Sequence, residues 1–151
     1  MNVNIEMIPS YKVVYIRRTG PYGPENDQIM EQLKRWAREK NIFNESSIIL
    51  GIAQDNPQFT EPKDCRYDTC LVVSDEFDID NTYINFGETI GGRYCVFKIS
   101  HTAEAVQKAW MGIFSELSKR NYKIDDRRPI LERYAMQMIN EHYCEICAPI
   151  L

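Results

Sequence analysis

The chain has 151 residues, a net charge of -4, 44% hydrophobic and 26% charged residues, enough for one core or two small fused halves of an ordinary globular protein. It has no basic tract, which argues against direct nucleic-acid binding. No run approaches the roughly 20 apolar residues of a membrane span. The polar, acidic start from Met1 to Glu6 is unlike a secretory signal, so a cytoplasmic protein is expected.

In chain order, Tyr11 to Thr19 is a β-branched and aromatic run that stops at Gly20-Pro21-Tyr22-Gly23-Pro24, a turn-forming loop. A helix follows over Pro24 to Lys40, with Ile29, Met30, Leu33, Trp36 and Ala37 as its buried stripe. Ile48 to Gln54 reads as a strand closed by Asp55-Asn56-Pro57, and Cys65 to Val73 as the next. The acidic stretch Ser74 to Tyr83 lacks the spacing of a calcium loop and reads as a solvated linker. Glu88 to Ser100 is a strand with a glycine bend or bulge at Gly91-Gly92. Thr102 caps a second helix over Ala103 to Asn121, whose stripe is Val106, Ala109, Trp110, Ile113, Phe114 and Leu117. Asp125 to Pro129 is a polar turn, and Ile130 to Ala135 and His142 to Pro149 are strands.

The last strand carries one acid, Glu145, among cysteines, an isoleucine and a tyrosine. Alternation puts Cys144, Ile146 and Ala148 on one face and Tyr143, Glu145 and Cys147 on the other. If both faces are enclosed, Glu145 must find a partner, take up a proton or await a ligand. Because Cys144 and Cys147 diverge on a strand, this Cys-x-x-Cys is no half of a zinc site, and only two histidines are present. Five cysteines, an odd number, fit buried thiols in a reducing compartment. No metal and no cofactor are expected.

The order strand-helix-strand-strand thus occurs twice, about 1–74 and 84–151, as pseudo-repeats of one domain spanning 1–151. Tyr67-Asp68-Thr69-Cys70 parallels Cys144-Glu145-Ile146-Cys147, each with an acid two before a cysteine. The expected fold is α+β: duplicated βαββ units form a long antiparallel sheet with two helices on one face. A central ligand groove is expected on the other face, with Asp68 and Glu145 at related places.

Several pieces, in order along the whole chain, resemble the GyrI-like small-molecule-binding family, the effector-binding domains of the Rob/BmrR C-terminal type. They are Thr19-Gly20-Pro21, Asp55-Asn56-Pro57, Arg66-Tyr67-Asp68, Gly91-Gly92-Arg93-Tyr94, Ala109-Trp110-Met111-Gly112-Ile113-Phe114, Glu132-Arg133-Tyr134 and Glu145-Ile146-Cys147-Ala148-Pro149-Ile150. The resemblance implies a groove with a buried glutamate that takes bulky aromatic, often cationic drugs. It maps the family's acid onto Glu145 and its aromatic positions onto Trp110 and Tyr134, with Asp68 and Tyr67 as further ligand-binding candidates. Regulators of the family carry a DNA-binding head, for which this chain has no room. Stand-alone members resemble a gyrase inhibitor, or hydrolases that open the cyclopropane ring of DNA-alkylating natural products.

Two roles follow, binding a hydrophobic aromatic molecule for protection against toxins, or hydrolysing it. In the hydrolase reading Glu145 is general base to a water, and the hydroxyl of Tyr134 or Tyr67 meets the oxygen that gathers charge. A protein partner such as gyrase is the alternative, and strand edges at both ends of the sheet leave room for a homodimer. Against these stand plainer readings. By spacing alone Trp110 is core, the tyrosines are sheet residues, and Arg66 and Arg133 pair with Asp68 or Glu132 on a wet surface.

Overall fold

Both predicted sets of strands lie side by side in one antiparallel sheet. A computed structural model describes residues 2–56, 58–78 and 84–151. Its elements are β1 (Asn2–Ile8), β2 (Lys12–Thr19), α1 (Glu25–Glu39), β3 (Ile48–Ala53), β4 (Arg66–Val72), β5 (Asn85–Glu88), β6 (Gly92–Ser100), α2 (Ala103–Lys119), β7 (Leu131–Ala135), α3 (Met136–Asn140) and β8 (Tyr143–Pro149). The eight strands run in the order β1-β6-β8-β7-β3-β4-β2-β5. The α+β class and the long antiparallel sheet are as expected. The acidic linker falls partly on 79–83, and the Asp55-Asn56-Pro57 turn on 57, outside the described residues.

Local chemistry sets the helix limits. Thr102 accepts a hydrogen bond from the Ala105 N–H at 3.1 Å and caps α2. Asn41 and Asn121, just past α1 and α2, have φ of 59° and 61°. Asparagine tolerates this left-handed conformation, which ends a helix. Gly92, with φ of 148°, breaks the predicted strand at its start and separates β5 from β6.

Register places both helices on one face. Ile49 pairs with Leu71 and with Tyr134, and Glu132 with Ile146, which pairs with Phe97. Leu33, Trp36 and Ala37 of α1 pack on Val14, Ile16, Ile49 and Leu71 of this face. Ala109, Ile113 and Leu117 of α2 pack on Cys95, Phe97, Ile146 and Ala148. Each fully buried Leu or Ile contributes about 1.5–3 kcal/mol. Phe114, expected in the α2 stripe, is instead 51% exposed.

The opposite face is buried without a helix. Val13, Leu50, Ile52, Cys70, Val96, Leu131 and Cys147 form its core. Loops 9–11 and 89–91 lock together there, the Tyr11 N–H donating to Thr89 Oγ1 and the Thr89 N–H to the Tyr11 carbonyl. A Cβ on Gly91 would stand 2.6 Å from the Ser10 nitrogen, so only glycine allows this approach.

β1, β5 and α3 are absent from the expectations. β1 leads the first set yet pairs with β6 of the second, and β5 leads the second set yet pairs with β2. Each leading strand therefore extends the other set. The remaining strands correspond closely. Asp68 lies across from Arg17 and Ile52, and Glu145 across from Lys98 and Arg133, so the two acids hold equivalent places as expected. The correspondence that carries Arg17 to Lys98 and Ile52 to Arg133 also carries Gly51 to Glu132. These two are cross-strand partners on β3 and β7, at the centre of the sheet.

Candidate functional site

At that centre, on the helix face, Glu132 is surrounded by aromatic donors. The Tyr67 hydroxyl donates to Oε1 at 2.6 Å, and Trp110 Nε1 donates to Oε2 at 2.9 Å. Tyr134, two residues along β7, stands beside it on the same face. Burial, and then the charge of Glu132, push the phenols of Tyr67 and Tyr134 far above the usual tyrosine range. Both therefore remain protonated donors at working pH. His101 meets the Tyr134 ring edge-on at 5.7 Å, and Tyr22 meets the Tyr67 ring at 6.1 Å. Burial, with Lys34 adding to it, lowers the His101 pKa below 6.5, so the imidazole is neutral at neutral pH.

The cluster is assembled from several elements. Tyr67 is near the start of β4, Trp110 is on α2, Glu132 and Tyr134 are on β7, and His101 and Tyr22 are in the loops before the helices. Gly51 makes the arrangement possible. A Cβ there would collide with the Tyr67 hydroxyl and lie 2.9 Å from Glu132 Oε1. Phe114, one turn on from Trp110, is exposed on the same side of α2. The charge of Asp27 on α1 reaches Tyr134 and His101.

Glu132 enters no ion pair among the described residues. Both oxygens accept from neutral groups. The other central acids differ. Arg133, only 6% exposed, donates to Glu145 Oε1 at 2.9 Å and to both oxygens of Glu6 at 2.8 and 3.0 Å. Arg17 holds Asp68 by two hydrogen bonds, at 2.7 and 2.9 Å, and Gln54 adds a third. These acids are neutralised by protein cations.

The five residues expected in one groove therefore lie on two faces. Trp110, Tyr134 and Tyr67 come together on the helix face, around Glu132. Glu145 and Asp68 are on the opposite face, each committed to an arginine. The groove expected opposite the helices, with Glu145 at its floor, thus has no aromatic wall from Trp110, Tyr134 or Tyr67. What alternation along β8 could not give was the partner: Arg133 points to the face of Glu145, so Glu132, one position before it, points away. Arg133 is buried rather than surface-paired with Glu132, and Arg66 pairs with Asp55 rather than Asp68. The signal that could have found Glu132 was already present in Glu132-Arg133-Tyr134, an acid and an aromatic two apart on a strand.

A cavity of about 130 Å³ lies on the opposite face, between Ile52, Leu131 and Tyr94 with Glu88 beside it. It is well below the roughly 300–1,000 Å³ of a drug-sized site. An open depression of about 460 Å³ lies at the outer β2–β5 edge, where Lys12 is held by the carbonyls of Asp75 and Phe77. Neither adjoins an unneutralised acid at the sheet centre. No group of three or more metal-ligating side chains occurs among the described residues. No helix of the described residues is long and apolar enough to cross a membrane. All five cysteines are free and buried.

Residues 1–151 match the family described as the GyrI-like small molecule binding domain. The chain is 40% identical over 151 residues to the SPbeta prophage-derived YosT of Bacillus subtilis (strain 168), which bears a transcriptional regulator's name, covering 99% of each chain. Among solved structures, the C-terminal domain of EcmrR matches with a TM-score of 0.73 at 13% identity, over 99% of this chain and 97% of that one. SAV2435 bound to tetraphenylphosphonium matches with a TM-score of 0.58 at 14% identity, over 100% and 94%. Both structural likenesses are of fold.

Proposed function

Because the chain belongs to the GyrI-like small-molecule-binding family, we propose that it takes a bulky aromatic cation between α1 and α2, above Glu132. The observation that carries this reading is the carboxylate of Glu132, held by two neutral aromatic donors and, among the described residues, by no cation. A cation placed over it gains the Coulomb attraction that Arg133 already supplies to Glu145. Faces of Trp110, Tyr67 and Tyr134 add up to about 2 kcal/mol each for a desolvated cation. Burial of the ligand's rings adds roughly 25 cal/mol per Å². Because burial is not directional, such a site accepts many ligands of one class.

Sequestration of a toxic aromatic compound is the role that fits this site. Hydrolysis of a cyclopropane-bearing compound needs a carboxylate free to activate water. Glu145 is tied to Arg133, and both oxygens of Glu132 already accept hydrogen bonds. The SAV2435 complex with tetraphenylphosphonium supplies the probe. Titration calorimetry with that cation should give saturable binding to wild type and at least tenfold weaker binding to Glu132→Gln. Binding that survives Glu132→Gln and Trp110→Ala unchanged would remove the site from between the helices. Mass-resolved incubation with a cyclopropane-bearing alkylating agent should return the compound unchanged. A product heavier by one water would replace sequestration by hydrolysis.

A further inference from the structure

Thr69 carries a hydroxyl that the folded chain leaves unused. Its Oγ1 is fully buried and, among the described residues, has no hydrogen-bond partner. A buried polar atom in that state is costly and rare. Thr69 stands on the helix face of β4 between Tyr67 and Leu71, with Ile16 across from it on β2 and Gly51 across from it on β3. Ile16 and Leu71 are apolar, Gly51 has no side chain, and Leu33, Trp36 and Ala37 of α1 pack on this face. The Trp36 Nε1 also lacks a partner, but that ring meets Phe77 edge-on, in the segment after β4. Of the four sheet neighbours of Thr69, only Tyr67 brings a polar group.

The Tyr67 ring leans toward this row. Tyr67 pairs with Ala53, yet its hydroxyl occupies the place that a Cβ on Gly51, the partner of Thr69, would take. From there it donates to Glu132 Oε1 at 2.6 Å. Side chains opposed across two strands start about 4.5–5.5 Å apart, so the hydroxyl lies roughly one strand spacing from Thr69. Swinging the ring back over its own strand carries the hydroxyl toward Oγ1 and empties the hollow over Gly51, beside the carboxylate.

We propose that Thr69 is the alternative acceptor of the Tyr67 hydroxyl: when a ligand's rings enter the hollow over Gly51, the hydroxyl leaves Glu132 Oε1 and donates to Thr69 Oγ1. The proposal rests on the reading of Glu132 as the ligand's carboxylate, and it assigns Thr69 as the residue that positions Tyr67 for uptake. In the free protein the phenol is satisfied and the Thr69 hydroxyl is not. In the complex the phenol has Thr69 and Oε1 faces the cation, so no buried polar group is orphaned. Burial keeps the phenol protonated throughout, so a hydrogen bond moves and no proton is transferred. Without Thr69, the displaced phenol would oppose the ligand by the worth of its lost hydrogen bond.

The test is titration calorimetry of the full chain with tetraphenylphosphonium, beside thermal melts of the free protein. Thr69→Val keeps the branched shape and removes the hydroxyl. It should weaken binding about tenfold, the worth of one buried hydrogen bond. It should melt no lower than wild type, because the free protein makes no use of that hydroxyl. Thr69→Ser keeps a hydroxyl and should bind within about twofold of wild type. In a Tyr67→Phe background there is no hydroxyl to receive, so Thr69→Val should change affinity no further. A merely structural Thr69 would lower affinity and melting temperature together, and in both backgrounds, which would overturn the proposal. So would wild-type affinity in Thr69→Val while Glu132→Gln binds weakly, a pair of results that leaves the site above Glu132 standing. Wild-type affinity in Glu132→Gln would remove that site, and the role of Thr69 with it.

Discussion

Tyr67 reaches Glu132 across the space that a side chain on Gly51 would fill. Gly51→Ala must therefore displace either the ring or the carboxylate. Overpacking a tight site costs about 1–3 kcal/mol, and a buried hydroxyl left without its acceptor costs about as much again. Urea denaturation should show a lower midpoint with an unchanged slope. Tyr67→Phe keeps the ring and removes the hydroxyl, so its loss should be about 1 kcal/mol. Equal stability of Gly51→Ala and wild type would mean that Tyr67 is not held over Gly51.

Opposite faces give opposite phenotypes. Glu145→Gln should leave tetraphenylphosphonium affinity within about twofold of wild type, because the sheet separates it from the proposed site above Glu132. Its cost should appear in stability, about 1–3 kcal/mol from the charged hydrogen bond to Arg133. Arg133→Met removes the shared cation and leaves Glu6 and Glu145 facing each other unpaired, with an expected loss of about 3–5 kcal/mol. Paired calorimetry and denaturation of Glu132→Gln and Glu145→Gln tests this directly. A large affinity loss in Glu145→Gln alone would return the ligand to the opposite face.

The fold was legible where periodicity and turn chemistry agree. The stripe Ile29, Met30, Leu33, Trp36 and Ala37, the cap at Thr102 and the stop at Asn121 each report a local preference that the tertiary structure keeps. β1 was legible in the alternation of Val3, Ile5 and Met7 with Asn2, Asn4 and Glu6, the pattern of a half-buried strand, but its three polar residues made the start of the chain read as a polar tail. In the site, alternation along β8 correctly separated Cys144 from Glu145. It could not reveal that Arg133, with β8 and β6 between it and Glu6, bridges both acids. Nor could it show that Gly51 leaves room for Tyr67. Those facts depend on strand order, and strand order is not a local property.

The cysteines should be inert in the folded chain. Burial pushes the thiols of Cys144 and Cys147 up to about 12. Thiolate, the reactive form, is then scarce at mildly alkaline pH. Native protein with iodoacetamide near pH 8 should show little alkylation at these two positions by peptide mass mapping, while protein in denaturant should be labelled at all five. Raised folded-state values also mean that their stabilising effect is present below the ordinary 9.0 and is lost as pH rises above it. Rapid native labelling at Cys144 would show that β8 opens readily.

Acid should loosen β1 first. The hydrogen bonds from Arg133, and secondarily its charge, hold the Glu6 carboxyl below the ordinary 4.5 despite the opposing effect of burial. A carboxyl lowered in the folded state stabilises it fully above the unfolded value. That contribution fades as pH falls through the folded value. Glu6 is 36% exposed on its side chain, so solvent screens the pair and the effect is modest. Thermal melts of wild type and Glu6→Gln should differ at neutral pH and converge as pH drops below 4.5. Amide exchange should locate the early loss at residues 2–8, before the centre of the sheet. A difference that persists undiminished at low pH would show that the Glu6–Arg133 contact stabilises through packing rather than charge.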